Sequence, residues 1–229
     1  MATAPKSIAK TKIDYPTTDG KPLGETEVHR DDMMDLIETL KHRFADVDDF
    51  YVSGNLLLYY IEGDKHRHVS PDVFVVRGVP KTPKRDYYLL WEEGHEPDLA
   101  IELTSKSTRH EDQRQKFLLY RDVLHVREYF LFDPRQDYLK PSMQGYRLID
   151  EEYYPIAPID GRLPSEVLGV HLERIGEELR LFDPETGRLL PTPRERIEQA
   201  EAKIEQVETE NERLRRELEI LKKRIAGTN

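Results

Sequence analysis

From Ile197 to Ile225 the chain places Ile197, Ala200, Ile204, Val207, Asn211, Leu214, Leu218, Leu221 and Ile225 at spacings that alternate three and four. This is a heptad seam, which a supercoiled helix satisfies and a strand does not. Four heptads at about 1.5 Å per residue give a rod of roughly 40 Å, marginal as a lone helix and stable once paired. The seam is therefore expected to bring two chains together. Asn211 falls at an a position, where the asparagines of a parallel dimer hydrogen-bond across the seam; antiparallel pairing would set each against an apolar d residue. The g-to-e′ pairs Arg196 with Glu201, Lys203 with Glu208, Glu210 with Arg215 and Glu217 with Lys222 are all opposite in sign, which also favours a parallel two-stranded rod. A helix folded back on its own domain is the structural alternative. The segment before the seam, LLPTPRERIEQ, lacks the dense arginine and lysine block of a basic-zipper DNA reader.

The rod accounts for a composition that is polar for a compact globule, 35% charged against 37% hydrophobic. Between Arg194 and Asn229 nine basic residues balance nine acidic ones, so the net charge of −10 falls entirely on the preceding residues. An acidic globule repels phosphates at long range, so any nucleic-acid binding must rest on a local basic patch or on bound metal ions. The chain has no cysteine, which excludes disulfides and every cysteine-ligated zinc or iron–sulfur site. It also lacks an apolar run suited to a signal peptide or a membrane span, so a soluble, cytoplasmic protein with no membrane partner is expected.

Three regions follow: a flexible segment over residues 1–18, one globular domain over 19–190, and a linker with the coiled coil over 191–229. The apolar spacing of Met33, Leu36, Ile37, Leu40 and Phe44 predicts a helix between Val28 and Phe44. Strand-like runs stand at 50–60 (FYVSGNLLLYY), 68–76 (HVSPDVFVV), 87–91 (YYLLW) and 98–104 (DLAIELT). Phe117, Tyr120 and Leu124 return to helical spacing before the run EYFLF at 128–132, and a strand, helix and strand in that order suggest a parallel crossover. Between 138 and 190 the short runs read as peripheral antiparallel strands. Pro191 and Pro193 close the domain.

The chemistry is carried by acids in apolar surroundings. A divalent cation that hydrolyses a phosphodiester needs two or more carboxylates, with a lysine to orient water or neutralise charge. Asp72 opens the run DVFVV, and Glu102 lies inside DLAIELT, where a charge is costly unless paired or ligating. Strand alternation puts Asp98, Ala100, Glu102 and Thr104 on one face, and Leu99, Ile101 and Leu103 on the other. Asp98 competes with Asp72 but lies roughly 13 Å from Glu102 along an extended strand, too far to share an ion. In a D/E-x-K motif position 104 would be lysine and here is Thr104. Lys106, on the same face by parity, and Lys116, one turn before Tyr120, are the candidates to replace it, with Lys106 ranked first.

The segments 19–31 (DGKPLGETEVHRD), 51–60 (YVSGNLLLYY), 68–76 (HVSPDVFVV), 101–112 (IELTSKSTRHED), 116–120 (KFLLY) and 126–134 (VREYFLFDP) resemble the Uma-two family of restriction endonucleases, a branch of the PD-(D/E)xK nuclease superfamily. The likeness runs from about Asp19 to Pro193. It implies a restriction-endonuclease-like α/β fold, a mixed β-sheet flanked by helices, here followed by the long C-terminal coiled-coil helix. It further implies dependence on Mg²⁺ (or Mn²⁺), with ligation by Asp72, Glu102 and the Leu103 carbonyl, and Glu25 as a further acid near the first helix. Two departures stand out. Many relatives have leucine-serine-proline-serine-threonine where this chain has 103–108 (LTSKST), and His125 replaces a common glycine.

Plainer roles compete with these. Asp72 would serve as a turn residue, Glu102 as a partner in an internal salt bridge to Lys106, Arg114 or Lys116, and Lys116 as part of a solvated helix face. Glu25 and His29 fit helix capping, His66 and His68 fit surface positions, and Tyr87, Tyr88 and Trp91 fit the core. The expectation is a homodimeric Mg²⁺-dependent DNA endonuclease; the alternative is a catalytically silent nuclease-like module serving as a dimeric scaffold.

Overall fold

The computed structural model describes residues 15–18, 26–105 and 111–226. The chain divides between Leu189 and Leu190 into two units. Helix α1, Glu27–Arg43, starts where the Thr26 hydroxyl accepts the His29 backbone N–H at 3.3 Å, and it collects Lys41, His42 and Arg43 in its last turn, where cations suit the dipole. Met33, Leu36 and Leu40 are its buried stripe, and it lies beside the first strands of the sheet.

The run at 50–60 does not form one strand. It gives β1, Phe50–Ser53, and β2, Leu58–Tyr59, in different sheets. Gly54 marks the break: a Cβ there would lie 2.0 Å from the Asp72 carbonyl oxygen, so only glycine lets the chain pass so close. The run at 68–76 splits likewise into β3, His68–Val69, and β4, Val73–Arg77, at Pro71, which has no N–H for a ladder. Asp72 therefore immediately precedes a strand. The run at 87–91 is only half extended, giving β5, Tyr88–Leu89, and then a four-residue helix α2, Leu90–Glu93.

Strand β6, Leu99–Leu103, is buried at every position, as is β7, Glu128–Phe132, and the two pair in parallel. Their crossover is a π-helical turn, Glu111–Lys116, that runs into α3, Phe117–Asp122. Strands β8, Met143–Ile149, and β9, Glu152–Pro155, are antiparallel as expected, yet they hydrogen-bond onto the central sheet and complete its order β1-β4-β6-β7-β8-β9. Strands β10, Leu163–Ser165, β11, Val170–Ile175, β12, Glu178–Asp183, and β13, Arg188–Leu189, make a separate antiparallel sheet.

The α3 side of the central sheet is a continuous apolar cluster in which Phe74, Ala100, Tyr129 and Leu131 meet Tyr120 and Leu124. Each buried aromatic there contributes roughly 2–3 kcal/mol. Ala100 belongs to this cluster, so strand alternation aims Glu102 at the same side, toward α3.

The second unit is built on α4, Pro193–Ala226. Its start is a reciprocal cap: the Glu195 N–H donates to Thr192 Oγ1 at 3.3 Å, and the Thr192 N–H donates to Glu195 Oε2 at 2.8 Å. Ile197, Ile204, Val207, Leu214 and Leu218 of the seam are all more than 40% exposed in the single chain. No described helix is long and apolar enough to cross a membrane.

Candidate active site

Asp72 and Glu102 reach one locality from adjacent strands. The Leu103 N–H donates to Asp72 Oδ2 at 2.7 Å, which ties the acid before β4 to the end of β6. On its other oxygen, Asp72 Oδ1 lies 3.4 Å from His29 Nε2 of α1. Burial alone would raise the Asp72 pKa; the His29 ring 3.4 Å away, the charge of Lys116 and the Leu103 N–H outweigh it and hold the carboxyl below its usual range.

Glu102 is 1% exposed, and both its oxygens are engaged. Lys116 Nζ donates to Oε2 at 2.7 Å, and the Tyr120 hydroxyl donates to Oε1 at 2.6 Å. Asp112 joins the cluster: its Oδ1 lies 3.3 Å from Lys116 Nζ, and its Oδ2 accepts the Thr104 hydroxyl at 2.7 Å. Thr104 also hydrogen-bonds the Tyr138 hydroxyl. Position 104 is thus a buried hydroxyl, and the ammonium comes from the crossover helix.

The electrostatics follow from counting charges. Burial would lower the Lys116 pKa, but Glu102, Asp112 and Asp72 surround it and raise it, so it stays charged. Glu102 is pushed well above the usual carboxylate range by burial, against the pull of Lys116 and with Asp72 and Asp112 pushing further. One ammonium faces three acids, leaving an excess of negative charge that favours a proton or a cation at Glu102. Tyr120 is raised for the same reasons, burial first and then Glu102, and remains a donor.

The remaining sequence candidates separate from this cluster. Lys106 and Glu25 lie outside the described residues. Lys116 is not on a solvated face: its side chain is 12% exposed, because the π turn directs it inward to Glu102. The internal salt bridge weighed for Glu102 does form, to Lys116. Asp98 is held elsewhere, taking Arg77 at 3.0 Å and Arg127 at 3.5 Å. His29 does not cap α1 through its ring; Thr26 does the capping and the imidazole turns to Asp72. His66 is exposed, whereas His68 is half-buried against the Tyr59 ring. Tyr88 is fully buried, with Tyr87 and Trp91 packed around a neighbouring cluster.

Sequence reasoning missed Asp112, Tyr120 and the turn of His29 toward Asp72. Signals existed. Residues 29, 33, 36 and 40 share helical spacing, which puts His29 on the buried stripe, while Asp112 and Tyr120 stand four residues either side of Lys116. His125 has a left-handed backbone, φ +43°, which explains why a glycine suits that position.

A mixed sheet with a parallel pair at its centre, and acids and a lysine gathered where β6 ends, define a mixed α/β fold with a buried charged cluster at one strand end. The family model Uma2, described as "Putative restriction endonuclease", matches residues 10–173, and the chain belongs to that family. Among solved structures it is similar to a nuclease of the DUF820 group from Anabaena variabilis, titled "putative", at 16% identity and TM-score 0.48, covering 69% of this chain and 85% of that one. No curated protein matches the chain.

Proposed function

We propose that the chain is a Mg²⁺- or Mn²⁺-dependent endonuclease that hydrolyses DNA phosphodiester bonds as a homodimer in the cytoplasm. The observation that carries this is the Lys116 ammonium on Glu102, beside Asp72, with more negative charge than one lysine neutralises. Among the described residues no group of three or more acid or histidine side chains has metal-holding geometry. Magnesium commonly takes only one or two carboxylates, completing its shell with water and substrate phosphate, so an oxygen-only pair suits it.

In this reading Asp72 and Glu102 hold the ion. An extended residue sends its N–H and C=O to the same edge, so the Leu103 carbonyl faces the Asp72 side and adds a further oxygen. The bound ion would supply Lewis-acid activation of the scissile phosphate. Lys116 takes the part of the motif lysine: released from Glu102, its ammonium hydrogen-bonds the phosphate and offsets charge that develops there. Tyr120 fixes the Glu102 carboxylate, and His29 fixes Asp72. Lys106 remains a candidate from strand parity, and Glu25 from the family likeness. Parallel pairing of α4 would give two sites, one for each strand.

A second reading has its own support. Thr104 at the lysine position and the lysine closed onto Glu102 fit a silent nuclease-like module whose α4 is a scaffold. Supercoiled plasmid incubated with Mg²⁺, Mn²⁺ or chelator separates the two. Metal-dependent nicking by wild type, lost in Asp72→Ala, Glu102→Ala and Lys116→Ala, supports the enzyme; equal behaviour of all four proteins supports the scaffold.

A further inference from the structure

We propose that a basic groove between α1, β1 and the segment 81–85 binds the phosphodiester backbone of DNA about half a helical turn from the acidic site. This rests on the nuclease reading and names where its substrate lies. The groove has a volume of about 540 Å³; Lys41, Lys81, Lys84 and Arg85 line it and no acidic side chain does. In a chain of net charge −10, four cations in one concavity are the local patch that a polyanion requires.

The charges there are unequal in what they offer. Lys81 Nζ donates to the Phe44 and Ala45 carbonyls at 2.6 and 2.7 Å, neutral partners that leave its charge uncancelled. Lys84 is exposed. Lys41 pairs with Glu38 at 2.9 Å, but the two side chains are 49% and 52% exposed, and such a pair is worth little against a phosphate. Arg85 is already matched by Glu93, and its guanidinium lies over the Tyr51 ring at 4.4 Å, so it shapes the wall more than it adds charge. Lys41, Lys81 and Lys84 therefore carry the net charge of the groove.

Two elements connect the groove to the acids. Helix α1 carries His29, beside Asp72, and Lys41 twelve residues later, about 18 Å along the axis. Strand β1 ends at Ser53, which lines the groove, and the next residue, Gly54, abuts the Asp72 carbonyl. About 18 Å is roughly five base pairs of duplex at 3.4 Å each. A duplex with its scissile phosphate at Asp72 and Glu102 would then run its backbone across Lys41 and Lys84.

The test is fluorescence anisotropy of a labelled 20-base-pair DNA duplex with chelator present, so that binding is read without cleavage, over a salt series. Wild type should bind with an affinity that falls steeply with salt. Replacing Lys41 and Lys84 by Gln should each flatten the log–log slope by about 0.9 and weaken binding on the order of 8-fold at 0.1 M salt. Lys84→Arg should restore the wild-type values, whereas a merely structural role would not respond to charge. Asp72→Asn should still bind. Wild type that fails to bind, or Gln variants with unchanged slope and affinity, would overturn the groove. Binding that follows these expectations without any metal-dependent nicking would leave the groove standing and overturn the catalytic reading instead.

Discussion

Lys116 Nζ and Glu102 Oε2 lie 2.7 Å apart in surroundings where the glutamate is 1% exposed and the lysine 12%. An ion pair so buried is sensitive to loss of one partner, because the survivor keeps its desolvation cost without compensation.

Lys116→Met should destabilise the protein by about 3–5 kcal/mol, since it strands Glu102 beside Asp72 and Asp112. Adding Glu102→Gln should recover most of that loss, because a neutral amide still meets the Tyr120 hydroxyl. Denaturant unfolding of both variants checks this; a double variant no more stable than the single would show that packing, not charge, is at stake.

Asp32 supplies a pH dependence. Its Oδ2 is buried and makes no hydrogen bond among the described residues. Burial first, then the Glu178 and Asp35 charges, push its pKa from 3.8 up to about 7. A carboxyl raised in the folded state binds its proton there more tightly than in the unfolded chain. Its favourable contribution is therefore complete below pH 3.8, declines as pH rises, and is gone above about 7. The window is worth at most about 4 kcal/mol at 1.36 kcal/mol per pH unit. Asp32→Asn should remove this slope from a plot of unfolding free energy against pH and be the more stable form at pH ~8.

Gly54→Ala should cost more than 2 kcal/mol, on the order of an overpacked core, and abolish nicking together. Its Cβ would meet the Asp72 carbonyl at 2.0 Å and Ile37 Cδ1 at 2.7 Å, so Asp72 must move. Thermal unfolding and plasmid nicking read the two effects; an active, fully stable variant would contradict them.

The seam of α4 should give way to charge. The full chain should sediment as a dimer, and Leu214→Lys with Leu218→Lys, or truncation before Arg194, should yield monomers by sedimentation equilibrium. A truncated chain that still dimerises would rule out the rod as the sole contact.

How much of this was legible depended on range. Alternation over residues 98–104 gave the face of Glu102, and spacing over 33–44 gave α1, because both are periodicities within one element. The run at 50–60 looked continuous because its strand break is set by contact between Gly54 and Asp72, eighteen residues apart in sequence. Lys116 looked solvated because Asp112, Gln113, Arg114 and Gln115 around it are polar, and nothing local announces a widened turn. Asp112 was hidden for the same reason. What periodicity misses here is side chains whose partners come from another element.

The widened turn between Glu111 and Lys116 also means that the lysine is aimed by arithmetic. An α-helix advances about 100° per residue, so removing a single residue between Asp112 and Lys116 would leave every side chain of the cluster in the chain and still turn the acid and the ammonium away from their present alignment. In this protein the length of a short connector is as much a part of the chemistry as the identity of any group it carries.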